Sequence, residues 1–142
     1  MKQKIKRSEA EWKELLTPEQ YAILREKKTE IPFTGELLRN DTLGVYSCAA
    51  CGQVIFSSKN KFDSSSGWPS FYEVISSDRV ELTLDDSYFM KRIEIQCPRC
   101  GSHLGHVFDD GPQPTGKRYC INSASLGFTE GSEKEEEEKN DQ

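Results

Sequence analysis

Long apolar runs are missing from this chain of 142 residues, of which only 35% are hydrophobic and 30% are charged. A bilayer span needs about 20 consecutive apolar residues, and no stretch comes close. The start, Met1 to Arg7, is basic but lacks the apolar segment of a secretory signal, so the expectation is an unprocessed, cytoplasmic protein. Positive charge is also in short supply: 19 Lys and Arg stand against 24 Asp and Glu, a net of −5. From Gly131 to Gln142, five Glu and one Asp face two Lys, a net of −4 that leaves −1 for the rest. A near-neutral body without a basic patch argues against a nucleic-acid partner. Residues 131–142 read as an acidic, disordered, solubilising tail. Histidine is scarce, with two in the chain, and no repeat is visible beyond two short cysteine units.

What is present fits one domain over residues 8–130, after a short tail over 1–7, and a monomer is expected. Ser8 to Lys28 reads as helical. Ser8 with Glu11 and Thr17 with Gln20 form two capping boxes, and Pro18 suits a first helical turn. Trp12, Leu15 and Leu16 are predicted to share one apolar face, and Tyr21, Ile23 and Leu24 another. From Ile31 the texture changes to short β segments punctuated by Gly, Asp, Ser and Pro. Leu43 to Phe56 predicts strand, turn, strand. Val80, Leu82 and Leu84 alternate with polar residues, as do Ile93, Ile95 and Cys97, with Asp85-Asp86-Ser87 as a connecting turn. Leu104 to Phe108 and Lys117 to Ile121 are the last two predicted strands. The class is mainly β with two N-terminal helices.

Five cysteines are an odd number, which argues against a disulfide framework. Four form matched pairs, Cys48-Ala49-Ala50-Cys51-Gly52 and Cys97-Pro98-Arg99-Cys100-Gly101. Each pair sets two thiolates at the tip of a turn whose glycine admits positive φ. Two such knuckles supply four sulfurs in a tetrahedron, the arrangement that holds one structural zinc. A redox pair of the thioredoxin type needs only one such unit. A site of three cysteines with His103 is the other alternative.

Cys120 is left over, in Arg118-Tyr119-Cys120-Ile121-Asn122. On a strand, Arg118, Cys120 and Asn122 share one face, while Tyr119 and Ile121 point to the core. A guanidinium beside a thiol favours its ionised form. His103 and His106 would face opposite sides of an ideal strand, and a bulge at Gly105 would bring both to one site. Histidine carries protons near neutral pH, so Cys, His and an orienting amide suggest a nucleophile. Trp68, held between Gly67 and Pro69, and Phe108 offer apolar walls for a small group such as a methyl. The competing class is a non-catalytic zinc-ribbon interaction module, in which Cys120 would be an inert thiol.

The segments Lys61 to Tyr72 (KFDSSSGWPSFY), Cys97 to Gly111 (CPRCGSHLGHVFDDG) and Arg118 to Leu126 (RYCINSASL) resemble methionine sulfoxide reductase type B, over about Trp12 to Phe128. The resemblance implies two antiparallel β-sheets, with zinc away from the active site. It implies reduction of methionine R-sulfoxide in peptides and proteins by Cys120. His103, His106 and Asn122 match the residues that manage the sulfoxide oxygen, Arg118 the cationic neighbour of the thiolate, and Trp68 the wall for the substrate methyl. One departure stands out. Many members carry a resolving cysteine at the position of Ser66. Its absence implies a Cys120 sulfenic acid reduced by an external thiol, thioredoxin or a small molecule.

Overall fold

The computed structural model describes residues 5–86 and 90–131, so Ser87 and all of the acidic tail beyond Gly131 lie outside the described residues. Two short helices come first, α1 (Glu9–Leu15) and α2 (Pro18–Leu24). Both capping boxes form: the Ser8 and Thr17 side chains accept from the backbone N–H groups of Glu11 and Gln20, whose side chains accept in return. Each box satisfies donors that a helix start would leave open. Trp12 and Leu16 are buried, as are Ile23 and Leu24. Leu15 does not join them and is 61% exposed, because a seven-residue helix packs one narrow stripe and Leu15 falls just outside it. Ile5 is tied to the body, its N–H donating to the Arg99 carbonyl at 2.7 Å.

Nine strands follow among the described residues: β1 (Gly44–Cys48), β2 (Val54–Ser57), β3 (Lys61–Phe62), β4 (Ser70–Phe71), β5 (Glu81–Asp85), β6 (Arg92–Gln96), β7 (His103–Phe108), β8 (Arg118–Ile121) and β9 (Leu126–Glu130). They form two antiparallel sheets, as expected. One has the order β2-β1-β9 and the other β3-β4-β8-β7-β6-β5. The core between them holds Tyr46, Ile55, Phe56, Phe71, Ile95, Leu104 and Ile121. Phe56 stacks on Phe71 with centroids 4.2 Å apart, and Tyr46 meets Phe71 edge-on at 5.0 Å. Aromatic pairs of this kind add about 1 kcal/mol beyond their buried area.

Two departures from the sequence pattern are instructive. Leu82 and Leu84 alternate with polar residues, yet they are 51% and 62% exposed. β5 is the outermost strand of its sheet, so the apolar face it presents lies beyond the core that covers Ile95. The last strand, β9, continues past the two final predicted strands and pairs with all of β1, Val45 opposite Thr129 and Tyr46 opposite Phe128.

Candidate active site and metal centre

The four paired cysteines meet where the β1–β2 and β6–β7 turns converge. Their sulfurs all lie within 4.8 Å of one another, with Cys48 to Cys100 at 3.7 Å and Cys51 to Cys97 at 3.6 Å. A tetrahedron with Zn–S bonds of about 2.3 Å has edges of about 3.8 Å, so the set is positioned for zinc. The two turns are alike: Gly52 N–H donates to the Cys48 carbonyl at 2.8 Å and Gly101 N–H to the Cys97 carbonyl at 2.7 Å. Gly52 and Gly101 adopt φ of 82° and 76°, the left-handed backbone that the sequence predicts there. Arg99 Nη1 donates across to the Cys51 carbonyl at 3.0 Å, and Arg25 Nη1 to the Cys100 carbonyl at 2.8 Å. Crowding four thiols together pushes Cys48 and Cys97 up and Cys51 and Cys100 down, so the cluster cannot hold four thiolates without a cation. His103 takes no part in this set, since its Nδ1 pairs with Glu94 Oε2 at 2.8 Å.

Cys120 stands apart, on the six-stranded sheet. The register sets Ser70 and His106 directly across from it, Glu94 across from His106, and Arg118 across from Phe108. Cross-strand partners share a face, so these polar side chains form rows leading to the sulfur. A cavity of about 380 Å³ opens there, lined by Cys120, Trp68, His106, Phe108, Arg118 and Asn122 together with Ser66, Arg92, Thr29 and Gly105. On the opposite face Ile121 is fully buried and Tyr119 packs toward Phe56, with centroids 5.9 Å apart, as strand alternation requires.

Gly105 is needed where it sits: a Cβ there would overlap the backbone carbonyl oxygen of Cys120. The register between β6 and β7 slips at Ile95/Gln96, so that Leu104 is the extra residue of a bulge beside Gly105. That slip brings the two histidine rings to 5.5 Å, centroid to centroid. They do not occupy equivalent places. His106 lines the thiol cavity, with Nε2 on Asp85 Oδ2 at 2.8 Å. His103 lies buried behind it, and burial lowers its pKa against the upward pull of Glu94.

Arg118 is held in a fork by Asp110, at 2.9 and 3.2 Å, with its guanidinium carbon 4.4 Å from the Phe108 ring centroid. Its charge lowers the Cys120 pKa, as the sequence suggests, and so does Ser66. Burial is the larger effect and pushes the thiol up overall. Burial thus opposes the ionised form that Ser66 and Arg118 favour. Ser66 Oγ lies 3.6 Å from Cys120 Sγ, which puts the position of the missing resolving cysteine in contact with the sulfur.

Several site residues carry no signal in the sequence. Glu30 is buried, and its carboxylate accepts from the N–H groups of Ser123 at 2.8 Å and Ala124 at 3.1 Å. Its own N–H donates to Asn122 Oδ1 at 3.1 Å, and its carbonyl accepts from Trp68 Nε1 at 3.0 Å. Asn122 Nδ2 donates to the Leu104 carbonyl at 3.2 Å. Glu30 thus fastens the wall residue Trp68 and the amide of Asn122 to the strand that bears the thiol. Asp85, Glu94 and Asp110 serve as partners to His106, His103 and Arg118. Sequence spacing cannot supply them, because the pairings depend on register and on loop return.

The SelR domain family model matches residues 16–130. A peptide methionine sulfoxide reductase MsrB of Methanosarcina mazei is 67% identical over 136 residues, covering 93% of this chain and 97% of the relative. The protein of the same name from Methanosarcina barkeri is 66% identical over 136 residues, covering 95% and 96%. The mouse mitochondrial methionine-R-sulfoxide reductase B3 is 54% identical over 134 residues, covering 94% of this chain and 53% of its own.

Proposed function

Because the chain belongs to the SelR domain family of methionine sulfoxide reductases of type B, we propose that it reduces methionine R-sulfoxide in peptides and proteins. The observation that carries this is the position of Cys120: one sulfur separated from the four-cysteine cluster, at the base of a cavity walled by Trp68 and Phe108 and faced by His106. The two rings receive the methyl group of the substrate, and the cavity mouth receives the peptide. Cys48, Cys51, Cys97 and Cys100 would hold one zinc ion, which would cross-link the two turns as a structural metal.

The Cys120 sulfur attacks the sulfoxide sulfur. Negative charge grows on the oxygen, and His106 delivers a proton to it, with Asn122 oriented nearby. His103 and Glu94 support His106 from behind. The oxygen passes to Cys120 and the thioether leaves. The methionine sulfur gains two electrons and Cys120 loses two; the thiol proton, taken up by His106 as the sulfur attacks, is the one His106 returns to the oxygen of the new sulfenic acid. Since Ser66 cannot form a disulfide, two equivalents of an external thiol, thioredoxin or a small molecule, regenerate Cys120 with release of water and a disulfide. Arg118, fixed by Asp110, stabilises the thiolate as it forms. The enzyme acts as a cytoplasmic monomer without a nucleic-acid or membrane partner; no helix among the described residues is long and apolar enough to cross a membrane.

The test is an assay of each sulfoxide epimer, with dithiothreitol and then thioredoxin as reductant. Consumption of the R epimer by the wild type, and none by a folded Cys120→Ser variant, is the expected result. Turnover by Cys120→Ser, or preference for the S epimer, refutes the proposal.

A further inference from the structure

Three serine hydroxyls connect Cys120 to the Trp68 carbonyl, and the shorter of the two hydroxyl contacts to that carbonyl, from Ser70, sets the direction of the chain. A carbonyl only accepts, so Ser70 donates to the Trp68 oxygen, at 3.0 Å. A hydroxyl has one hydrogen. Ser70 has spent it, so Ser64 is the donor in the 2.7 Å contact with Ser70. Ser66 is then the donor in its 2.8 Å contact with Ser64. Its other acceptor away from the sulfur is again the Trp68 carbonyl, at 3.5 Å. In the 3.6 Å contact between Ser66 and Cys120, the remaining donor is the S–H group. Run in this direction, the chain accepts from a thiol at Cys120.

Loss of the thiol proton reverses only the last link. The Ser66 hydroxyl turns from Ser64 to the sulfur while still accepting from Trp68 N–H at 3.4 Å. Ser64 Oγ keeps the Ser66 N–H as a donor, at 3.3 Å, so no polar group is orphaned. We infer that this chain sets the protonation of Cys120: Ser66 is a rotor that donates to the thiolate, and Ser64 is the acceptor that draws its hydrogen away from the thiol. Its bearing on catalysis rests on the reading of Cys120 as the attacking sulfur, whereas its effect on the sulfur itself does not. The charged and titratable groups facing the cavity are Arg118 from β8, His106 from β7 and Arg92 from β6. Asp110 pairs with Arg118, and Asp85 with both His106 and Arg92.

The test is the rate of iodoacetamide alkylation of Cys120 against pH, read by mass spectrometry on the metal-loaded full chain. Ser66→Ala removes the thiolate's donor and raises the apparent thiol pKa by about one unit. Ser64→Ala removes the competing acceptor and shifts it the opposite way. Ser66→Thr keeps the hydroxyl and restores the wild-type profile. Thermal midpoint and metal content report folding, and if Ser64→Ala fails to fold, Ser64→Gly carries the test. Shifts of the same sign at Ser64 and Ser66, or no shift at either, overturn the inference. Opposite shifts in a protein that reduces no sulfoxide leave the chain standing and refute the catalytic reading instead.

Discussion

Ser66→Cys should turn this protein into one that closes its own disulfide. The Ser66 Oγ is 3.6 Å from Cys120 Sγ. A sulfur on the same Cβ reaches further than the oxygen, so the loop must give by roughly 1 Å to reach the bond length of about 2.05 Å. The loop has room to move: Ser65 next to it is exposed, with a φ of 62°. The bridge would close a loop of about 55 residues, which constrains the unfolded chain by about 4 kcal/mol at most. For a domain of this size that raises the thermal midpoint by up to about 12 °C. The assay is incubation with methionine sulfoxide and no reductant, followed by thiol counting, intact mass and melting. The wild type should lose one thiol and gain one oxygen. The variant should lose two thiols, gain no oxygen, run faster on a non-reducing gel and melt higher. A variant that keeps the added thiol free while Cys120 carries an oxygen would show that the geometry at residue 66 has been misread.

Replacing Cys97 with Ala should release the metal and unfold the protein, because metal-binding free energy is folding free energy here; metal analysis and far-UV circular dichroism check this, and a folded metal-free variant contradicts it. Gly105→Ala should destabilise by about 2–3 kcal/mol and lower kcat, since the added Cβ must push the Cys120 backbone away; denaturant melts and steady-state rates read both effects. Cys120 alkylation should be slow at pH 7 and still rising above the ordinary thiol range, because burial holds the thiol up. His103 has a folded-state pKa depressed by burial, so its contribution to stability is present above its unfolded value of about 6.5 and is lost as pH falls through the folded value. Denaturation midpoints between pH 7.5 and 5 should fall more steeply for wild type than for His103→Gln, and equal slopes would contradict the burial effect.

Local chemistry was legible in the sequence where its partners lie within a few residues. Both capping boxes, the two cysteine knuckles and the placement of Cys120 with Arg118 on one strand face follow from spacing alone. The bulge near Gly105 was legible as a possibility, and its placement at Leu104 needed the β6–β7 register. Alternation misled at Leu82 and Leu84, because periodicity reports a two-faced strand but not whether anything covers the apolar face. It went unread at β9, where Leu126 and Phe128 alternate just before the acidic run. Glu30 carried no sign of its role: it is one acidic residue between a lysine-rich stretch and a proline. Its importance arises from 92 to 94 residues away, at Asn122, Ser123 and Ala124. Arg118 announced a charge beside the sulfur, but the burial that outweighs it is a property of the closed sheet.

A single turnover addresses the account at its root. The protein is mixed with one equivalent of methionine R-sulfoxide without reductant, trapped with dimedone and digested. The account requires the adduct on the peptide containing Cys120, in near-stoichiometric yield, with Cys48, Cys51, Cys97 and Cys100 unlabelled and their metal retained. Methionine formed with no adduct at Cys120, or with the adduct on any of the other four, would contradict it.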